Sequence, residues 1–412
     1  MSVPWLYVIG IGEDGITGLN PAARALLDAG DVFAGGERHL AMLGDAHADK
    51  RPWPTPLEDQ FDELAAEGAK GRKVVVLATG NPMWYGVGVK LSRRFGAAEM
   101  VVLPSASAFD MACARMAWAL VETTCLTVHG RPVEMINGHL LPAARLIILC
   151  RDGKSPREIA AELVKAGFGQ SPMTALSQLG GPDEDRVEAS AENWPDTPTH
   201  DFVTVAVDCV AGPDARMYAR VPGLPDDAFR HDGQMTKREV RAMTLAALAP
   251  QPGETLWDIG AGCGSIAIEW LRTAPHCQAI AIESDTARAA LITENAAALG
   301  TPLLKLVIGR APEALSDLRS PDVVFVGGGL SNDGVFEAAW QALGPQGRLV
   351  ANTVTTQGEA RLLALQSQFG GDLRRISISR AEQKGRFSNW RGLAPVTQWA
   401  TKKSDAKSGD KP

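Results

Sequence analysis

An aspartate, three alternating glycines and a glutamate mark the stretch Glu254–Ser284, ETLWDIGAGCGSIAIEWLRTAPHCQAIAIES. Asp258 stands just before the loop Gly260, Ala261, Gly262, Cys263, Gly264, and Glu283 ends a later apolar run. Glycines there let the backbone turn at positive φ and come close to a ligand, and a helix starting directly afterwards offers unpaired N–H groups. An acid roughly 20 residues past such a loop is placed to accept hydrogen bonds from ribose hydroxyls. The combination reads as a nucleoside site. A dinucleotide loop would be G-x-G-x-x-G; here the third glycine comes one residue early and Ser265 holds its place. A carboxylate at position 258 also suits an ammonium group better than a pyrophosphate.

Other residues offer chemistry for an acidic ligand. Lys237 and Arg241 lie four apart on one helix face, either a clamp for carboxylates or a solvated face. Thr236 with Glu239 has capping-box spacing, so Thr236 caps a helix, touches the cofactor, or both. His129 and Arg131 follow a strand end, for a catalytic role or a structural hydrogen bond. Arg386 and Arg391, interleaved with Phe387 and Trp390, would grip a large flat acid or form an oligomer contact. Gly309 and Ala311 are small residues where an adenine would lie, and Gly327–Gly329 follow a strand where a second substrate would approach.

The elements that must position these residues alternate. Leu256–Ile259 and Ala279–Ile282 are strands around the glycine loop, and Leu303–Ile308 and Asp322–Val326 continue the series. The first half repeats the scheme. Leu6–Ile11 runs into Gly10 and Gly12, and a helix spans Asn20–Ala29. KVVVLA at 73–78 runs into Thr79, Gly80, Asn81; Glu99–Leu103 runs into Ser107 and a helix Ala108–Leu120. Strands Arg145–Cys150, Thr174–Leu179 and Phe202–Val207, with a capped helix from Ser155 to Lys165 and a turn Gly180–Asp185, close a second lobe. The fold class is α/β, with function at the carboxyl ends of strands.

The domain reading is 1–210 in two lobes (about 1–123 and 124–210), a Pro/Gly/Asp-rich linker 211–232, a second domain 233–400 and a disordered tail 401–412. With 412 residues, two or three domains are expected. No apolar run approaches ~18 residues, so no membrane span is expected, and no signal peptide is apparent. Six scattered cysteines without CxxC or zinc spacing imply buried thiols in a reducing cytoplasm and no metal. A net charge of −7 without long basic runs argues against nucleic-acid partners.

The Asp258–glycine-loop–Glu283 pattern resembles motif I of the S-adenosylmethionine (SAM) dependent methyltransferases. VIGIGEDG at 8–15, AGGERHL at 34–40, VVVLATGNPMWYGVG at 74–88, PSASA at 104–108, HGR at 129–131 and LSQLGGPDEDR at 176–186 resemble the tetrapyrrole (corrin and porphyrin) methyltransferases, in the branch acting on precorrin-6B. MTKREVRA at 235–242, APEAL at 311–315 and GRFSNWRGLAPVTQW at 385–399 resemble the decarboxylating methyltransferases of the same cobalamin-biosynthetic step. The fused order resembles the bifunctional precorrin-6Y methyltransferase (decarboxylating) family. Asn81 stands where that family has an aspartate, and Ala394 where it has an asparagine.

The resemblance implies a two-lobed class III methylase fold followed by a Rossmann-like class I domain, and one SAM site in each. In the first domain the cofactor contacts are Gly10, Gly12, Thr79, Gly80, Asn81 and Ser107. In the second they are Thr236, Asp258, Gly260–Gly264, Glu283, Gly309 and Ala311. The implied partner is a tetrapyrrole, precorrin-6B, and a homo-oligomer. The first domain would methylate carbon 5; the second would decarboxylate and methylate carbon 15. Lys237, Arg241, His129, Arg131, Arg386 and Arg391 are the candidates for holding substrate carboxylates or moving protons. An RNA or protein methyltransferase remains the alternative, and would call for a basic face; so does a chain in which one domain is a SAM-binding scaffold only.

Overall fold

The computed structural model describes residues 4–45 and 47–404. Its contacts divide the chain into two compact units, one of residues 1–133 and 141–216 and the other of 134–140 and 217–412.

The first unit holds two five-stranded sheets. In the first, β1 (Leu6–Ile11), β2 (Val32–Gly35), β3 (Lys50–Pro52), β4 (Val74–Thr79) and β5 (Met100–Leu103) run in the order β3-β2-β4-β1-β5. All its pairings are parallel. That is why β1 and β4 read as unbroken apolar runs: apolar clusters cover the sheet on both sides. The second sheet contains β6 (Thr123–Thr127), β7 (Arg145–Leu149), β8 (Pro172–Ser177), β9 (Asp185–Ser190) and β10 (Val203–Asp208), in the order β6-β7-β10-β8-β9. Only β6 and β7 pair in parallel.

Three local readings need correcting here. β9 extends beyond the expected turn at 180–185; its sequence DRVEAS is polar because this edge strand is largely exposed. The helix from Ala108 ends at Met116, since Ala117 takes φ 53 and turns the chain out. Ser155 is the first helical residue, not the cap, and its hydroxyl accepts from the N–H groups of Arg151 and Asp152.

The second unit is built on a seven-stranded sheet of order β13-β12-β11-β14-β15-β19-β16. Its members are β11 (Thr255–Ile259), β12 (Gln278–Glu283), β13 (Lys305–Ile308), β14 (Val323–Val326), β15 (Arg348–Thr353), β16 (Asp372–Ile376) and β19 (Val396–Lys402). β11 to β15 are parallel, while β19 runs antiparallel between β15 and β16. β17 (Ser379–Lys384) and β18 (Phe387–Gly392) form a separate hairpin. The strand order reverses between β11 and β14, and at such a switch point the loops leaving both strands open a crevice.

Two boundaries differ from the sequence reading. Residues 217–232 are not a free linker: Leu224 and Phe229 are buried in a cluster with Cys263 and Ile268 of the second unit. Scattered apolar residues in a Pro/Gly-rich stretch carry no period, yet suffice to pin it. Thr401 and Lys402 belong to β19, not to a tail, and Lys403 donates to the Trp340 carbonyl at 2.7 Å; the rest of that expectation from 405 onward lies outside the described residues.

Candidate active site

A cavity of about 630 Å³ opens at the switch point of the second unit. Its wall includes Thr236, Lys237, Asp258, Gly260–Cys263, Glu283, Gly309 and Ala311, so most of the second unit's residues read from sequence converge on one space. Gly264 lies behind it as the cap of the helix Ser265–Thr273. Gly260 has to be glycine: at φ 73 it faces Gly328 so closely that a Cβ would lie 2.9 Å from its nitrogen. Two loops are thereby brought together at backbone distance.

Glu283 is 5% exposed and its carboxylate spans the loop, Oε2 accepting from the Gly262 N–H at 2.8 Å and Oε1 from Asp285 at 2.9 Å. Asp258 is 1% exposed. Its Oδ2 accepts from the Ala267 N–H at 3.1 Å, while Oδ1 has no hydrogen-bond partner among the described residues. Burial, with Glu283 adding repulsion, pushes the Asp258 carboxyl up to about 7. An unpartnered buried carboxylate oxygen in a cavity wall fits a cationic group of a ligand.

Lys237 and Arg241 part company. Lys237 lines the cavity, and its ammonium makes no ion pair among the described residues. Arg241 is fully buried and belongs to neither reading of it, clamp or solvated face. Its Nε donates to Glu269 at 2.5 Å, its Nη1 to the Thr236 carbonyl at 2.6 Å, and its Nη2 to the Leu224 carbonyl. Every arm is used to fasten the segment 224–236 over the helix Ser265–Thr273. The Thr236/Glu239 capping box does not form: Lys237 is the cap residue, and Glu239 pairs with Arg380 at 2.6 Å. Arg386 and Arg391 sit on the exposed β17–β18 hairpin, away from the cavity wall. Arg386 lies 5.0 Å over Phe387, and Arg391 pairs with Glu382 at 3.2 Å.

Two residues in the wall were missed from sequence. Arg310 lies between Gly309 and Ala311 and makes no ion pair among the described residues. Asn352, at the end of β15, joins a buried network. The Thr244 hydroxyl donates to the Val240 carbonyl at 2.8 Å, and accepts from Asn352 Nδ2 at 2.8 Å and Gln398 Nε2 at 3.2 Å. Gln398 Nε2 also donates to Asn352 Oδ1 at 3.0 Å.

In the first unit, the loops after β1, β4 and β5 are pressed together. A Cβ on Gly10 would overlap the Gly80 carbonyl and lie 2.6 Å from the Ser105 nitrogen. Gly10 is therefore a packing glycine first; Gly12 lies just beyond, beside the Asp14 carboxylate. The Thr79 hydroxyl meets Arg38 at 3.0 Å and His39 at 2.9 Å, and Arg38 also pairs with Glu13 and lies 4.3 Å over Phe202. Burial, with Arg38 beside it, holds the His39 imidazole down at about 4. The Ser107 hydroxyl is taken by Asp110 in a capping box. Asn81 folds its Oδ1 back onto the Met83 N–H at 3.0 Å. His129 is exposed, and Arg131 lies 5.2 Å over Tyr85.

Comparison with known proteins matches the "Tetrapyrrole (Corrin/Porphyrin) Methylases" model to residues 5–194 and the "Precorrin methyltransferase domain" model to residues 227–403. A Sinorhizobium protein named precorrin-6Y C(5,15)-methyltransferase [decarboxylating] is 47% identical over 96% of this chain and 96% of its own length. The chain belongs to the precorrin-6Y C(5,15)-methyltransferase (decarboxylating) family. Two shorter relatives match part of it. The cobalt-precorrin-7 C(5)-methyltransferase of Salmonella typhimurium is 32% identical over 43% of this chain and 87% of its own. A Pyrobaculum calidifontis protein named probable cobalt-precorrin-6B C(15)-methyltransferase (decarboxylating) is 34% identical over 42% and 93%.

Membership of the precorrin-6Y methyltransferase family accounts for the two folds, a tetrapyrrole methylase unit followed by a Rossmann-like methyltransferase unit, and makes the chain a methyltransferase. The Asn81 side chain closes the turn with its own hydrogen bond, so the loop does not depend on charge for its shape. Ala394 lines the cavity of the second unit.

Proposed function

We propose that the chain methylates precorrin-6B at carbons 5 and 15 and removes the carboxylate of the carbon 12 acetate, giving precorrin-8. The observation that carries this reading is the joining of two methyltransferase units in one chain that aligns with the bifunctional Sinorhizobium relative over 96% of both lengths. The two shorter relatives, one named for carbon 5 and the other for carbon 15 with decarboxylation, support a division in which the first unit serves carbon 5, and the second serves carbon 15 and the decarboxylation.

Each unit takes one SAM, which supplies a methyl group on a sulfonium. In the second unit the unpartnered Asp258 oxygen accepts the cofactor's ammonium, Glu283 its ribose hydroxyls, and Gly309 and Ala311 leave room for the adenine. In the first unit the loops around Gly12, Gly80 and Asn81 face the cofactor. The methyl acceptor is an electron-rich ring carbon, so the protein supplies alignment and a dry cavity, not a nucleophile. Lys237 and Arg310, which make no ion pair among the described residues, hold carboxylates that the substrate retains. The six unpaired cysteines support a reducing, cytoplasmic setting, and the family resemblance a homo-oligomer.

The test is the product mass after incubation with precorrin-6B and SAM. Two methyl groups gained and one carbon dioxide lost is the expected result; retention of the carboxylate would overturn the decarboxylation.

A further inference from the structure

The Thr244–Asn352–Gln398 network fixes the direction of an amide that faces the cavity. The Thr244 hydroxyl gives its single proton to the Val240 carbonyl, so it can only accept from the two amides that meet it. Both must turn their NH₂ groups toward it. Gln398 then spends its second N–H on Asn352 Oδ1, and its own Oε1 is left buried without a partner among the described residues. The opposite orientation of Gln398 would set oxygen against oxygen. Thr244 and Gln398 are both 0% exposed, so no solvent competes with this arrangement. Asn352 itself is half-buried and lines the cavity, and one N–H of its Nδ2 meets no acceptor among the described residues.

We propose that this remaining N–H of Asn352 is the donor that holds the substrate carboxylate destined to leave as carbon dioxide. The inference rests on the decarboxylation proposed above. In that step the carbon–carbon bond to the carboxylate breaks and its electron pair passes to the ring-attached methylene, which is conjugated with the protonated macrocycle. Carbon dioxide leaves neutral, and a proton from water completes the methyl group. Negative charge therefore departs from the carboxylate as the transition state forms. A cation paired with it would stabilise the starting state more than the transition state and slow the step. A neutral amide N–H orients the group with less of that penalty. Three cations line the same cavity, Lys237, Arg288 and Arg310, of which Arg288 is paired with Asp232 at 2.8 Å. The free two are suited to carboxylates that stay, and Asn352 to the one that goes.

The experiment measures carbon dioxide release and methylation separately in the full chain with precorrin-6B and SAM. Asn352→Asp replaces the donor with an acceptor of like charge, and Asn352→Ala removes it. Each should slow carbon dioxide release at least about tenfold in protein that still folds, with SAM affinity and carbon 5 methylation unchanged, whatever the lost network bonds do to the thermal midpoint. Thr244→Val frees the amide to turn and should give a smaller loss in the same direction. Should Asn352→Ala not fold, Asn352→Ser serves in its place with the same expected loss. Wild-type carbon dioxide release in these variants, or a loss that merely tracks SAM affinity, overturns the role of Asn352. Absence of carbon dioxide from the unaltered enzyme would instead overturn the proposed function.

Discussion

Arg241 and Glu269 meet at 2.5 Å with both side chains out of solvent, 0% and 2% exposed. Glu269 also accepts the backbone N–H groups of Gly223 at 2.6 Å and Leu224 at 2.9 Å, so the pair is a fastener between the segment after Gly223 and the helix behind the glycine loop. The position of Thr236 and Lys237 at the cavity follows from it.

Arg241→Ala is expected to destabilise the second unit by about 3–5 kcal/mol, because the Glu269 carboxylate would remain buried without its partner. Chemical denaturation measures this. Lys237→Ala should leave stability within about 0.5 kcal/mol and raise the KM for the tetrapyrrole. An Arg241→Ala protein of wild-type stability and impaired substrate binding would reverse the two assignments.

Glu283→Ala should weaken SAM binding at the second unit about ten-fold to a hundred-fold, the loss of a charged hydrogen bond of roughly 1.5–3 kcal/mol. Titration calorimetry of the full chain should show about two sites before the change and one after, if each unit binds one cofactor. A single site in the unaltered chain contradicts that count.

Asp258 gives the site a pH dependence. Its folded value of about 7 lies above the ordinary carboxyl value of 3.8, so the ligand-free fold loses stability as pH rises between the two. A cationic ligand at the unpartnered oxygen favours the ionised form. SAM affinity at this site should therefore rise between about pH 6 and about pH 8, with proton release on binding, and Asp258→Asn should abolish both. Binding that is flat across that range would place the ammonium elsewhere.

Gly10→Ala inserts a Cβ into the Gly80 carbonyl. The loops after β1, β4 and β5 must separate, at about 1–3 kcal/mol, and methylation at carbon 5 should fall while carbon dioxide release persists. Equal loss of both activities in a folded protein would show that the units do not divide the work this way.

What was legible in the sequence was whatever repeats locally. The glycine loops at strand ends, the buried parallel strands and Glu283 all follow from neighbouring residues. Arg241 was misread because its spacing from Lys237 suggests a shared face, whereas its burial is decided by Glu269 on another helix and by carbonyls of the preceding segment. Asn352 had no local signal, since its partners Thr244 and Gln398 come from distant elements. Arg310 did have one: it sits between Gly309 and Ala311, both already placed at the cofactor, and its charge was passed over. β19 was invisible as an interior strand because its place between β15 and β16 is a matter of topology.

That placement has an implication for biosynthesis of the chain. β16 emerges before β19 but pairs with no other strand of its sheet, and β15 lacks its outer neighbour until β19 arrives with Trp399, which is 0% exposed in the core. During translation the first unit can complete itself early, whereas the sheet of the second stays open along β15 until the last described strand is made. That open edge is an opportunity for mispairing between nascent chains on one polysome, and a point where a chaperone would have most to protect.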